Sequence, residues 1–169
     1  PPPPPPPPPR FFFLAFEGFP DAQESRGLGD VYMRQVMNQA ALLTPVFILI
    51  LWTFAITAIM AYGRVKFTKD PQDAAHTKDL KGLMPAWVER TSDNYNHLFE
   101  QPVAFYVVTL SIALINNIEP LMVQLAWAFV VVRIVHSLVQ LTINIVLLRF
   151  VIFAIGWLII AYMAFSQLL

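Results

Sequence analysis

Hydrophobic and polar positions fall in long blocks along this chain, not in the short runs of a water-soluble domain. Four apolar segments, at about residues 41–62, 94–117, 121–148 and 150–168, each approach or exceed the roughly 20 residues that a membrane-spanning helix requires. The connection from Gly63 to Glu89 is polar and long, whereas the later ones are tight. Tight turns make consecutive helices antiparallel, so the pattern predicts an all-α integral membrane protein, a four-helix up-and-down transmembrane bundle.

Local signals refine those boundaries. Thr44-Pro45 lies near the start of the first segment, where proline costs a helix least, and Tyr62 is placed to anchor the far interface. Asp70-Pro71 and Lys81-Gly82 mark turns in the long connection. Thr91, Ser92 and Asp93 are competent N-caps for the second helix, and Pro102 within it predicts a kink or a locally opened turn. Asn116 to Pro120 reads as a tight polar turn, and Arg149 marks the end of the third helix. Ahead of the spans, Pro1–Pro9 can form only a polyproline II rod or a disordered tail. The apolar patch Phe11–Phe16 is too short for the core of a signal peptide, residues 17–30 are polar without periodicity, and Met33 stands where a shorter chain would begin. The expected organisation is a disordered extension over 1–30 and a four-span domain over 31–169.

The third segment is polar on one side. Arg133, His136, Gln140 and Asn144 are spaced by three, four and four, which sets all of them on one helical face. Charge deep in an apolar span is costly, so that face should meet protein or water. Counting from the 116–120 turn at 1.5 Å per residue puts Glu100 about 25 Å deep, with Arg133 and His136 at about 18 and 22 Å on the returning helix. The expectation is a Glu100–Arg133 ion pair with His136 beside it. Asp93, His97 and Glu100 form a facing stripe on helix two, with Arg90 just before it and Arg149 at the end of helix three. The result is a polar cleft open to one side of the membrane and flanked by lipid, suited to an anionic water-soluble cosubstrate meeting an apolar partner from the bilayer. Two other readings stay open from spacing alone. The ion pair can serve only to hold helices together, and His97, Glu100 and His136 can supply part of a metal site. No fourth ligand is evident, however, and the adjacent arginine opposes a cation.

Composition narrows the classes further. The chain is 57% hydrophobic and 13% charged, against about 25% charged in soluble proteins. Eleven basic residues balance eleven acidic ones, so no basic field exists to recruit nucleic acid. Cysteine is absent, which removes disulfides, thiolate metal sites and thiol catalysis by the protein itself. Arg64, Lys66, Lys69, Lys78, Lys81 and Arg90 lie in the long connection and Arg149 between helices three and four, against Arg10, Arg26 and Arg34 on the other side. This bias puts the 63–93 loop in the cytoplasm and both termini outside.

At these residues the sequence resembles the MAPEG family, the membrane-associated proteins of eicosanoid and glutathione metabolism, over roughly Met33 to Leu169. The likeness is carried by Glu89-Arg90 with Glu100 and Pro102 entering helix two, by Arg133-Ile134-Val135-His136, and by the sixteen-residue gap from Arg133 to Arg149. The resemblance implies a bacterial inner-membrane homotrimer in contact with membrane lipid, binding glutathione as cosubstrate between subunits near the cytoplasmic side. It implies transfer of that thiol to a hydrophobic small molecule, or reduction of a lipid peroxide. The positions it assigns to the cosubstrate are Arg90, His97, Glu100, Arg133, His136 and Gln140, with Arg149 as the catalytic residue that steadies the thiolate. A lipid-binding, non-catalytic member is the alternative the family offers. The chain departs from the pattern in carrying Asp93 in place of an arginine, His97 in place of an asparagine and Gln140 in place of a tyrosine, and Pro102 follows the glutamate by two residues instead of three or four. An acid at position 93 should weaken recognition of glutathione's carboxylates.

Overall fold

A computed structural model describes the backbone of residues 18–68 and 82–168, with side chains in the first helix from residue 33 onward. The proline run, the Phe11–Phe16 patch and the Asp70-Pro71 turn lie outside the described residues. Every regular element described is an α-helix, in the order α1 (Gly18–Phe67), α2 (Ala86–His97), α3 (Gln101–Ile115), α4 (Pro120–Leu141) and α5 (Val146–Phe165). The chain divides into two units, residues 1–37 and 38–169. Of the first, the described part, from residue 18, is helical. The second holds the helices that pack on one another.

Four stretches are long and apolar enough to cross a membrane: Met33–Phe67, Ala86–Ile115, Pro120–Leu141 and Val146–Phe165. The all-α, four-span architecture expected from the hydrophobic blocks is therefore observed, with several shifted boundaries. Residues 18–30, expected to lack structure, are helical. Ala22, Gln23, Glu24, Arg26 and Leu28 are good helix formers, and extending an existing helix costs far less than nucleating one. Pro45 consequently lies well inside α1. Its missing N–H leaves the Ala41 carbonyl without its usual partner, one residue after the Ala40 carbonyl, to which the Thr44 hydroxyl donates at 2.7 Å.

The second span is two helices. Pro102 has no N–H and would press its ring on the Leu98 carbonyl in a continuous helix. The chain instead turns over Leu98–Glu100, and α3 restarts with Pro102 in its first turn, where proline is tolerated. Asn116 ends α3 in the left-handed conformation, at φ 61°, and Pro120 opens α4 as an N1 proline. α4 stops at Leu141, seven residues short of the expected 148. Asn144, at φ 52°, is left-handed, and its N–H donates to the Val139 carbonyl at 2.7 Å, closing the helix end. Asn144 therefore leaves the polar stripe, which ends at Gln140, and Arg149 belongs to the first turn of α5, not to the end of the preceding helix.

α2 and α5 each lie against α4, and α3 lies against α5. α1 joins them through Gln39, which donates to the Ala113 carbonyl at 3.2 Å, and through Arg64, which donates to Ser92 at 3.0 Å. The buried face of α4 changes character along its length. Met122, Ala126, Phe129 and Val130 sit in an apolar core with Leu42, Leu49, Ile112 and Met163, where the Phe105 and Phe129 rings stack at 4.3 Å. One turn later the same face continues as Arg133, His136, Ser137 and Gln140, all buried. In lipid, close packing and internal polar contacts hold helices together because the tails are as apolar as leucine. The first half of α4 supplies the packing and the second half the polar contacts.

Candidate functional site

The polar half of α4 is organised by Arg133, whose side chain is fully buried. Its Nη2 donates to the His97 carbonyl at 2.5 Å and its Nη1 to Gln101 Oε1 at 3.2 Å. Both acceptors exist because of the Leu98–Glu100 turn: α2 ends at His97, so its carbonyl has no helical partner. The Gln101 amide in turn donates through Nε2 to the Phe153 carbonyl at 3.0 Å, tying α3, α4 and α5 together. Gly156 makes that reach possible, since a Cβ there would stand 2.7 Å from Gln101 Oε1. The expected Glu100–Arg133 pair is not formed within the chain. The depth was right, but the turn rotates Glu100 outward and presents Gln101, the next residue, to the guanidinium.

Glu100 instead accepts from His97, with Nδ1 to Oε2 at 3.0 Å, the one ion-pair contact among the described residues. The other ring nitrogen, Nε2, lies 3.3 Å from Arg149 Nη2. Arg149 Nη1 donates to Asn144 Oδ1 at 2.6 Å, so the left-handed residue that closes α4 also fixes the guanidinium at the start of α5. His136 stands edge-on to His97 with ring centroids 5.9 Å apart. Together His97, His136, Arg149, Val146, Phe150 and Phe153 line a cleft of about 200 Å³. His136 Nδ1 and Arg149 Nε are buried there without a protein partner among the described residues. α2 and α4 contribute the imidazoles of His97 and His136, and one face of α5 contributes Arg149 together with the apolar Val146, Phe150 and Phe153.

The remaining expected site residues lie elsewhere. Arg90 donates to the Thr142 carbonyl at 2.7 Å, bracing α2 against the end of α4. Gln140 is buried beyond the cleft, and both of its amide atoms lack a partner among the described residues. Asn94, fully buried on α2, is in the same state. Asp93 is exposed. Gln101 and Gly156 were not anticipated from the sequence, although a glutamine one residue before Pro102 and the lone glycine of the last span were visible signals.

The arrangement can hold a small anion, or a group that becomes anionic, against Arg149 while an apolar moiety rests on Phe150 and Phe153. At about 200 Å³ the cleft falls below the roughly 300–1,000 Å³ of a drug-sized pocket. It accommodates a small group and not a whole ligand of that size. Neither Arg90 nor Arg133 is placed to meet carboxylates, since both are bonded to backbone carbonyls. In comparison with known proteins, the family model described as the MAPEG family fits residues 42–169. No curated protein matches the chain, and no solved structure does.

Proposed function

The chain belongs to the MAPEG family, and from that premise we propose that it is a membrane-bound transferase. In this reading it joins glutathione or a related thiol to hydrophobic electrophiles, or reduces lipid peroxides with that thiol. The observation that carries the reading is the mixed lining of the cleft: Arg149, held by Asn144 and adjacent to His97, shares one face of α5 with the apolar Val146, Phe150 and Phe153. A guanidinium beside a thiol favours the thiolate, which is the nucleophile. The apolar wall accepts a partner arriving through the bilayer. The chain's own contribution is to orient the sulfur, to supply its counter-charge and to keep the electrophile's apolar body out of water.

The residues present suit the thiol end of glutathione better than its two carboxylates, for which the family's assembly into trimers with glutathione between subunits offers a neighbour's cations. The basic residues of the 63–93 loop support a cytoplasmic mouth for the cleft. In a purified sample, glutathione should produce a saturable rise in thiolate absorbance, and Arg149→Ala should reduce turnover by about 100-fold, the scale of losing one preorganised charge partner. Unchanged turnover in that variant refutes the assignment. A second reading, a lipid-binding protein without catalysis, draws on the exposure of Val146 and Phe150, at 74% and 65%. Tight co-purification of lipid with no thiol binding would favour it.

A further inference from the structure

His97 is held at both ring nitrogens, and the two partners fix which one is basic. A guanidinium has donors only, so Nε2, 3.3 Å from Arg149 Nη2, accepts and carries the lone pair. The hydrogen then sits on Nδ1 and is donated to Glu100 Oε2 at 3.0 Å. A carboxylate that orients an imidazole by one nitrogen and leaves the other facing a reacting group is the arrangement of a general base. The groups around the ring explain why the carboxylate is needed. Arg149 approaches from α5, Arg133 bonds the His97 carbonyl from α4, and His136 lies edge-on at 5.9 Å. Among those cations Glu100 is the one carboxylate bonded to the ring. Asp93, one turn away on α2, adds to it. His136 has no such carboxylate, and its Nδ1 has no partner among the described residues.

We propose that the Glu100–His97 pair is the base that takes the proton of the bound thiol, an assignment that rests on the thiol-transfer reading above. The S–H bond breaks with its electron pair left on sulfur, and the proton passes to His97 Nε2. Arg149 exchanges its hydrogen bond to Nε2 for one to the sulfur. One cation and one anion are created, and each has a partner: the imidazolium faces Glu100 and the thiolate faces Arg149. The thiolate then forms a C–S bond to the electrophile. The leaving group departs with the electron pair of the bond that breaks and the proton on Nε2 is released to it or to water, or, for a conjugate acceptor, that proton is returned to the product carbon.

The test uses the full chain in phosphatidylcholine vesicles with glutathione, following thiolate formation by stopped-flow absorbance across pH. His97→Gln keeps hydrogen-bonding groups at the position but cannot take a proton. It should form thiolate about 100-fold more slowly near pH 7, with the rate recovering as hydroxide rises or when free imidazole is added. Glu100→Gln, which leaves every backbone contact in place, should slow the step about tenfold, because the imidazolium loses its counter-ion. If His97→Gln binds glutathione and forms thiolate with the wild-type rate and pH profile, His97 only positions Arg149 and the proposal is wrong. Should that variant not fold, a wild-type rate in Glu100→Gln overturns it equally. Absence of glutathione binding by the wild type in calorimetry is a different result, since it removes the thiol-transfer reading itself and this proposal with it.

Discussion

At the scale of single residues, the most consequential contact is the one between Arg133 and the Gln101 amide. A guanidinium buried at 0% exposure is met here by two neutral acceptors while its Nε has no partner among the described residues, and removing one acceptor exposes the asymmetry of buried polar groups. Gln101→Leu should lower stability by about 2–3 kcal/mol, read as a drop in the unfolding midpoint of the detergent-solubilised protein. Arg133→Met together with Gln101→Leu should recover part of that loss, because the guanidinium leaves with its side-chain acceptor and only the His97 carbonyl loses its donor. A double mutant as unstable as the sum of the single ones would show that the pair does not interact. The sequence made part of this legible. Arg133 and His136 announced themselves as charge in an apolar span, and counting depth brought them to the right level of helix two. Choosing Glu100 over Gln101 as the partner followed the habit of pairing charge with charge. The backbone turn decided otherwise, and no side-chain periodicity encodes the rotation it imposes.

At the scale of elements, Pro102 governs the site. By ending α2 at His97 it frees a carbonyl for Arg133 and turns Glu100 back toward His97. Pro102→Ala restores an N–H and favours a continuous helix by about 3 kcal/mol of intrinsic propensity. The expected outcome is slower amide exchange over residues 98–102 and weaker glutathione binding, by about tenfold, as His97 loses the turn that pairs it with Glu100. Unaltered exchange would mean that tertiary contacts, and not the proline, hold the turn open. A disturbance near Pro102 was readable from the sequence, but its form as two separate helices was not. The ends of α4 and α5 were misjudged for a related reason: Asn144 adopts a left-handed conformation that an apolar run such as Ile143–Leu148 conceals.

At the scale of the whole molecule, the missing cysteines become an advantage. A single introduced thiol reports topology without background. A membrane-impermeant maleimide applied to intact cells should label Asn117→Cys and leave Leu83→Cys, 75% exposed before substitution, untouched until the cells are opened. The reverse pattern would invert the orientation drawn from the basic residues. The way Arg133 is held has a further consequence for the same molecule. Its partners are a carbonyl and an amide, neither of which cancels its charge, so Arg133 and Arg149 outnumber Glu100, the one carboxylate bonded to a residue of the cleft, even though the whole chain is neutral. Low-dielectric walls focus such a local excess into an attractive potential for anions. Capture of an anionic thiol should therefore be fast in dilute buffer and slow as ionic strength rises, while the chemical step, shielded inside the bundle, stays largely indifferent to salt.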